Sequence, residues 1–167
     1  MVILGVDPGL NVTGYGVIAV SGNTVRCLDF GGISNRGGST VPLEDRLLAI
    51  HEGLREVIER HHPTHCAVEE VFYHKNVNTA IVMGHARGVA MLAARQAGVA
   101  VHEYAAREVK MATVGNGAAS KQQVQAMVTR LLLLREPPRP QDAADALAVA
   151  LCHHHRVKFQ RLTAGKR

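Results

Sequence analysis

Three groups of acidic residues lie at the ends of apolar stretches in this sequence. Asp7 ends the apolar segment VILGVD, Glu69 and Glu70 end CAVEE, and Asp142 and Asp145 lie at the start of DAADALAVAL. Asp142 and Asp145 are three residues apart, so on a helix they share one face. If the strands that end in Asp7 and Glu69–Glu70 are neighbours, carboxylates from all three groups converge. Adjacent strand residues point to opposite faces, so either Glu69 or Glu70 belongs to such a cluster, but not both.

A cluster of four carboxylates requires cations. Two like charges 4 Å apart repel by about 4 kcal/mol at an effective dielectric constant near 20. Carboxylate oxygens are hard ligands that favour Mg²⁺, with Mn²⁺ as a substitute. Two such ions hydrolyse phosphodiesters, one by activating water and the other by stabilising the leaving 3′ oxygen. Each acidic group also has a structural explanation, since Asp is common in Pro-Gly turns and acids stabilise the first turn of a helix.

The elements that must position these acids follow from the hydrophobic pattern. The segments VILGVD, YGVIAV and VRCLDFGGI predict an antiparallel meander. Helices are predicted over 42–62 and 76–97, and they alternate with the strands CAVEEVF and VAVHEYA, which implies parallel pairing. A Gly-rich loop, a helix over 120–134 and a final helix in DAADALAVALCHHH follow. The predicted fold is α/β, with a mixed five-stranded sheet of three antiparallel and then two parallel strands flanked by helices.

Length and composition limit the class of protein. The 167 residues are enough for one domain, which we predict over 1–157, followed by a basic, disordered tail over 158–167. Three cysteines without CxxC spacing indicate a reduced, intracellular protein. No apolar run reaches the length of a membrane span, so we expect a cytoplasmic protein with no membrane partner. The net charge of +5 favours an anionic partner, with nucleic acid first.

Several long motifs give the chain a resemblance to a known family. They are GVDPGLNVTGYGVI, AVEEVF, KN at 75–76, ARGVA, EYAAREVK and PQDAADALAVA. Over almost its whole length the chain resembles the bacterial RuvC Holliday junction resolvases. The resemblance implies an RNase H-like fold, a homodimer acting on four-way junction DNA, and partnership with the RuvAB branch-migration complex. It also implies a catalytic and Mg²⁺-binding set of Asp7, Glu69, Asp142 and Asp145, and so selects Glu69 over Glu70.

Five further residues are candidates for DNA contacts. Phe72 and Tyr73 closely follow Glu69, where an aromatic side chain could stack on an unpaired base, although Phe72 could also be a core residue. Lys121 lies in the first turn of a predicted helix, where the helix dipole disfavours a cation unless an anion such as phosphate is near. The resemblance implies that Lys121 and Lys110 contact the DNA backbone, and it adds Lys75.

The favoured function is a structure-selective endonuclease that cuts two strands of a four-way DNA junction. A nuclease for RNA–DNA hybrids or ribosomal RNA ends is the alternative within the fold. An actin-like sugar kinase or ATPase is a second alternative, since DPG followed by TGYG is similar to a phosphate-binding hairpin, but that class needs two such domains. A non-catalytic junction-binding module is a third. The run His153–His155 could suggest metal ligands, but consecutive helical residues point in different directions, so it is interpreted as a solvated helix end.

Overall fold

The computed structural model describes residues 1–34, 40–70 and 77–164. The described strands are β1 (Val2–Asp7), β2 (Val12–Ser21), β3 (Thr24–Ser34), β4 (His65–Glu69) and β5 (Ala100–Tyr104). The described helices are α1 (Leu43–His61), α2 (Val77–Gln96), α3 (Ala106–Val114), α4 (Lys121–Leu131) and α5 (Gln141–Ala164). None of these helices is both long enough and apolar enough to span a membrane.

The strands form one mixed sheet in the order β3-β2-β1-β4-β5. Strands β1, β2 and β3 pair antiparallel, as short connections allow. Strand β4 is parallel to β1 and β5 is parallel to β4, because α1 and α2 cross over between them. This arrangement confirms the predicted fold class.

The sheet separates two apolar clusters. Leu4 and Val6 of β1 pack with helices α1 and α2, and Ile3 packs on the other face with α3, α4 and α5. Side chains alternate along a strand, so Asp7 follows Ile3 onto the α5 face. The register of β1 therefore places the Asp7 carboxyl group beneath α5.

Helix α5 lies unusually close to the sheet because β1 and β2 carry glycines under it. A Cβ atom on Gly14 would lie 2.0 Å from the carbonyl oxygen of Asp142, and one on Gly5 would lie 2.0 Å from that of Ala146. Such distances exclude any side chain at either position without movement of the backbone. The two glycines thus fix how closely the acidic start of α5 approaches β1.

The structure differs from the sequence-based expectation in two helices. Helix α3 was not predicted, because it follows β5 almost directly, without turn residues between the two elements. At its start, Glu108 accepts a hydrogen bond from the Ala105 N–H at 3.2 Å. Helix α5 continues to Ala164, so the described part of the predicted disordered tail is helical. No Gly or Pro interrupts residues 158–164, so the backbone continues the helix.

The interpretation of the histidine run as a solvated helix end is wrong for two of its members. His153 and His154 are 1% and 6% exposed, while His155 is exposed. The helix extends beyond these residues and packs against the sheet, so its sheet-facing side encloses His153.

Candidate active site

The acidic residues of β1, β4 and α5 lie at one edge of the sheet. Asp7 is the last residue of β1 and Glu69 is the last residue of β4, and these parallel strands pair up to Val6 and Val68. Ala67 packs in the cluster beneath α5, so Glu69, two residues later, faces the same way. The Asp7 and Glu69 carboxyl groups hydrogen-bond to each other, whereas Glu70 is exposed.

Burial and mutual repulsion make this cluster retain a proton. Burial, followed by the charges of Glu69, Asp145 and Asp142, raises the pKa of Asp7 to about 8. Burial also raises the pKa of Glu69, while its hydrogen bond with Asp7 acts in the opposite direction. Their shared hydrogen bond raises the pKa of Asp7 and lowers that of Glu69, so Asp7 is the donor and Glu69 the acceptor. This proton offsets part of the negative charge of the cluster, and a bound divalent cation would offset more of it. The carboxylate oxygens are the ligands that Mg²⁺ and Mn²⁺ prefer, so the donor set fits either ion.

Lys121 is bonded to the acidic cluster. Its Nζ atom donates to Oδ2 of Asp145 at 2.9 Å, and this hydrogen bond raises the pKa of Lys121. Ser120 and Gln123 form a capping box at the start of α4. The anion expected near Lys121 is thus Asp145 in this structure. The Lys121 side chain is nevertheless 61% exposed, so it remains accessible from the cleft.

A cleft opens over the cluster and is lined by Asp7, Glu69, Glu70, Lys110, Lys121 and Asp145. Asp142 contributes its charge to the environment of Asp7 but is absent from this lining. Apolar residues complete the walls, namely Pro8, Met83, Ala106, Val109, Val124 and Ala148. These wall residues were not predicted, since nothing in an amphipathic pattern distinguishes a cleft wall from the core. The predicted DNA contacts Phe72, Tyr73 and Lys75 lie outside the described residues.

Comparisons with known proteins agree with this geometry. The family model for the crossover junction endodeoxyribonuclease RuvC matches residues 3–153. The curated RuvC of Pelotomaculum thermopropionicum is 49% identical over 161 residues, which cover 96% of this chain and 97% of that protein.

Two solved structures extend the comparison. A structure of Thermus thermophilus RuvC in complex with Holliday junction substrate matches with a TM-score of 0.89 and 38% identity, over 96% of each chain. The yeast mitochondrial Holliday junction resolvase Ydc2 matches with a TM-score of 0.62 at 9% identity, over 96% of this chain and 85% of that one, and so shares the fold. The sheet order, the acidic edge and the full-length match together show that this chain belongs to the RuvC family of crossover junction endodeoxyribonucleases.

Proposed function

We propose that Asp7, Glu69, Asp142 and Asp145 form the catalytic centre with which this endonuclease resolves four-way DNA junctions in recombination and repair. The observation that carries the proposal is that Asp7, Glu69 and Asp145 line one cleft, with the charge of Asp142 acting on Asp7 from the same helix as Asp145. Each strand cut is a phosphodiester hydrolysis. The family to which the chain belongs supports the choice of a four-way junction over an RNA–DNA hybrid.

The four carboxylates hold two Mg²⁺ ions in this proposal, and Mn²⁺ can replace them. When bound, the ions activate the attacking water and stabilise the leaving 3′ oxygen. Asp7 must give up its proton before it can act as a ligand, so cation binding releases a proton near neutral pH. Lys121 donates a hydrogen bond to the Asp145 carboxylate and so offsets part of its charge.

The cations of the cleft are the proposed contacts to the DNA backbone. Lys110 and Lys121 line the same cleft as the acids, where a phosphate approaching the carboxylates meets positive charge. We also assign junction contacts to Phe72, Tyr73 and Lys75. Their support is their short distance along the chain from Glu69, which places them within reach of the same substrate.

A homodimer supplies two active sites to the two-fold symmetric junction. Helix α2 offers a surface for it, because the apolar side chains of Val77, Ile81 and Leu92 are 59%, 54% and 52% exposed. Gly84 and Gly88 lie between them at helical spacing, and a Cβ on either would meet no atom of the described chain within 4 Å. Such a face lets two copies of α2 pack closely against each other.

The proposal has two consequences in the cell. Family membership supports a partnership with the RuvAB branch-migration complex, which would supply junctions to the enzyme. A DNA substrate also supports action in the cytoplasm, where a bacterial chromosome lies.

Cleavage by the variant Asp7→Asn tests the catalytic centre. Loss of the bound ions removes several kcal/mol of transition-state stabilisation, so the cleavage rate should fall by about a hundredfold or more. Junction binding in chelator should be retained, because the neutral Asn replaces an Asp7 that is already largely protonated in the metal-free site and so adds no negative charge. The measurement is cutting of a mobile four-way junction in Mg²⁺, beside a linear duplex and an RNA–DNA hybrid.

Glu70→Gln is the matched control, since Glu70 adjoins Glu69 but is exposed and lies outside the hydrogen-bonded pair. This variant should cut junctions at close to the wild-type rate. Near-normal cutting by Asp7→Asn would refute the two-metal centre, and preferential cutting of the hybrid would refute the assigned substrate.

A further inference from the structure

Three histidines from distant parts of the chain meet beneath α5. His65 begins β4, His102 lies in β5 and His153 lies on α5. One ring nitrogen from each residue lies within 4.8 Å of those from the other two. The ring centroids of His102 and His153 are 4.4 Å apart, and His65 lies 5.0 Å from His153 and 5.4 Å from His102.

Two of these rings have a buried nitrogen that lacks a hydrogen-bond partner. They are His102 and His153, whose Nε2 atoms meet no donor or acceptor in the described part of the chain. His153 is only 1% exposed, so water does not satisfy its Nε2 from bulk solvent. A buried polar atom left without a partner costs about 1–3 kcal/mol. A ligand bound to these two nitrogens would remove this cost.

The surrounding hydrogen bonds leave Nε2 available as an electron-pair donor. Thr64 Oγ1 donates its single hydrogen to the Val2 carbonyl at 3.0 Å, so His65 Nδ1, also 3.0 Å away, must donate to Thr64 Oγ1. His65 Nε2 then carries the lone pair. His153 Nδ1 lies 2.7 Å from the Tyr104 hydroxyl, so it can donate to that oxygen while Nε2 binds an ion. Such outer hydrogen bonds orient histidine ligands in metal sites.

The histidine cluster is separate from the acidic site. His65 and Glu69 lie at opposite ends of β4, about 13 Å apart at the usual rise per strand residue. His153 follows Asp145 by two turns of α5, or about 12 Å along the helix. An ion held by the histidines therefore cannot be one held by the carboxylates.

We propose that His65, His102 and His153 bind one transition-metal ion of the zinc class, which fastens α5 to strands β4 and β5. Imidazole nitrogens suit Zn²⁺, Co²⁺, Ni²⁺ or Cu²⁺ rather than Mg²⁺. Zn–N bonds of about 2.0–2.1 Å place tetrahedral ligands about 3.4 Å apart. The nitrogens now lie within 4.8 Å of one another, so metal binding draws them together by at most about 1.4 Å.

The state of the rings supports this assignment. Burial, followed by the charges of His102 and His65, lowers the pKa of His153 to about 3. Burial also lowers the pKa values of His65 and His102. The rings are consequently neutral at pH 7, which is the form that binds a metal.

The fourth ligand comes from solvent. His65 and His102 are partly exposed, so the site opens on their side. Arg161 and the amino terminus act on His65, and Arg156 acts on His102, as nearby positive charges. These cations favour an anionic fourth ligand such as hydroxide or chloride. The proposed ion has a structural role, because it joins a helix to two strands. The nearby positive charges offset part of the charge of its anionic fourth ligand.

Zinc titration of the full-length protein tests the site. Chelator-treated protein is titrated with Zn²⁺ in excess Mg²⁺, which occupies the carboxylates without competing for imidazoles. We expect one equivalent to bind and to raise the thermal unfolding midpoint. Co²⁺ should give the intense visible absorption of a four-coordinate site, and Zn²⁺ should abolish it.

Variants identify the ligands. His102→Gln should lose the zinc-dependent rise in midpoint, and Tyr104→Phe should bind Zn²⁺ about 10–100-fold more weakly because it loses an outer hydrogen bond. His155→Gln is the matched control, since His155 is exposed and bonds the Ala112 carbonyl. It should bind like the wild type, and so should Asp7→Asn. The proposal would be overturned if the wild type bound no Zn²⁺ in this titration, or if His102→Gln bound Zn²⁺ as well as the wild type.

Discussion

At the scale of single residues, the acidic site is partly neutralised by the chain itself. Lys121 pairs with Asp145, and Asp7 shares its proton with Glu69. A proton at this position competes with a cation for the same oxygens. The occupancy of the site by metal and the protonation of Asp7 are therefore linked.

This linkage predicts how stability depends on pH without metal. The pKa of Asp7 rises from its ordinary value of 3.8 in the unfolded chain to about 8 in the fold. Between these values the native state binds more protons, so this group's stabilising contribution is complete below pH 3.8 and is lost as the pH rises through 8. In chelator, Asp7→Asn should become progressively more stable relative to the wild type over that range.

Denaturant unfolding of both proteins at several pH values measures this difference in the free energy of unfolding. The contributions of other titrating groups largely cancel in the difference, because both proteins contain those groups. Addition of Mg²⁺ should reverse the order at high pH, since the wild type then binds cations that the variant lacks. A difference in stability that does not change with pH would contradict the assigned proton.

At the scale of elements, the approach of α5 to the sheet sets the geometry of the site. Gly14 faces the backbone of Asp142, so the position of this acid depends on the absence of a side chain in β2. Gly53 is the counterpart on the other face, where a Cβ would meet the Ile33 side chain at 2.9 Å. Both glycines permit close packing, but only Gly14 adjoins an acidic residue of the site.

Gly14→Ala and Gly53→Ala should therefore separate stability from activity. Each adds a methyl group to a filled space and should cost about 1–3 kcal/mol of stability. Gly14→Ala should also displace the start of α5 and reduce junction cleavage by up to about a hundredfold, the order expected for a displacement of 1 Å. Gly53→Ala should cleave normally at a temperature where both variants are folded. Equal cleavage by the two variants would show that the approach of α5 does not position the acids.

At the scale of the whole molecule, the proposed contact through the exposed face of α2 would bring two active sites together. Ile81 lies within this face and is 54% exposed, so replacing it by Glu should leave the monomer folded. A buried, unpaired charge in the dimer contact is costly, so Ile81→Glu should sediment as a monomer. On a junction, separate monomers should leave single nicks in place of paired cuts.

Leu162→Glu serves as the control, because Leu162 is 61% exposed but lies on α5, far along the chain from α2. It should remain dimeric and produce paired cuts. A dimeric Ile81→Glu protein would place the contact between subunits on another surface.

Local sequence pattern was sufficient for much of this protein. The apolar run VILGVD ending in Asp7, the helical spacing of Asp142 and Asp145, and the order of strands and helices predicted the sheet and its acidic edge. These features depend on neighbours in the chain, and sequence pattern reports such neighbours directly. Helix α3 was not predicted, because no turn residues separate it from β5.

Tertiary structure alone decided which distant groups meet. By periodicity, either Glu69 or Glu70 could face the acids, and the packing of Ala67 beneath α5 put Glu69 there. The contact between Lys121 and Asp145 depends on how α4 meets α5. The three histidines meet because the parallel register of β4 and β5 places His65 and His102 under the face of α5 that carries His153. Register and helix placement result from packing of the whole chain, so no single segment encodes them.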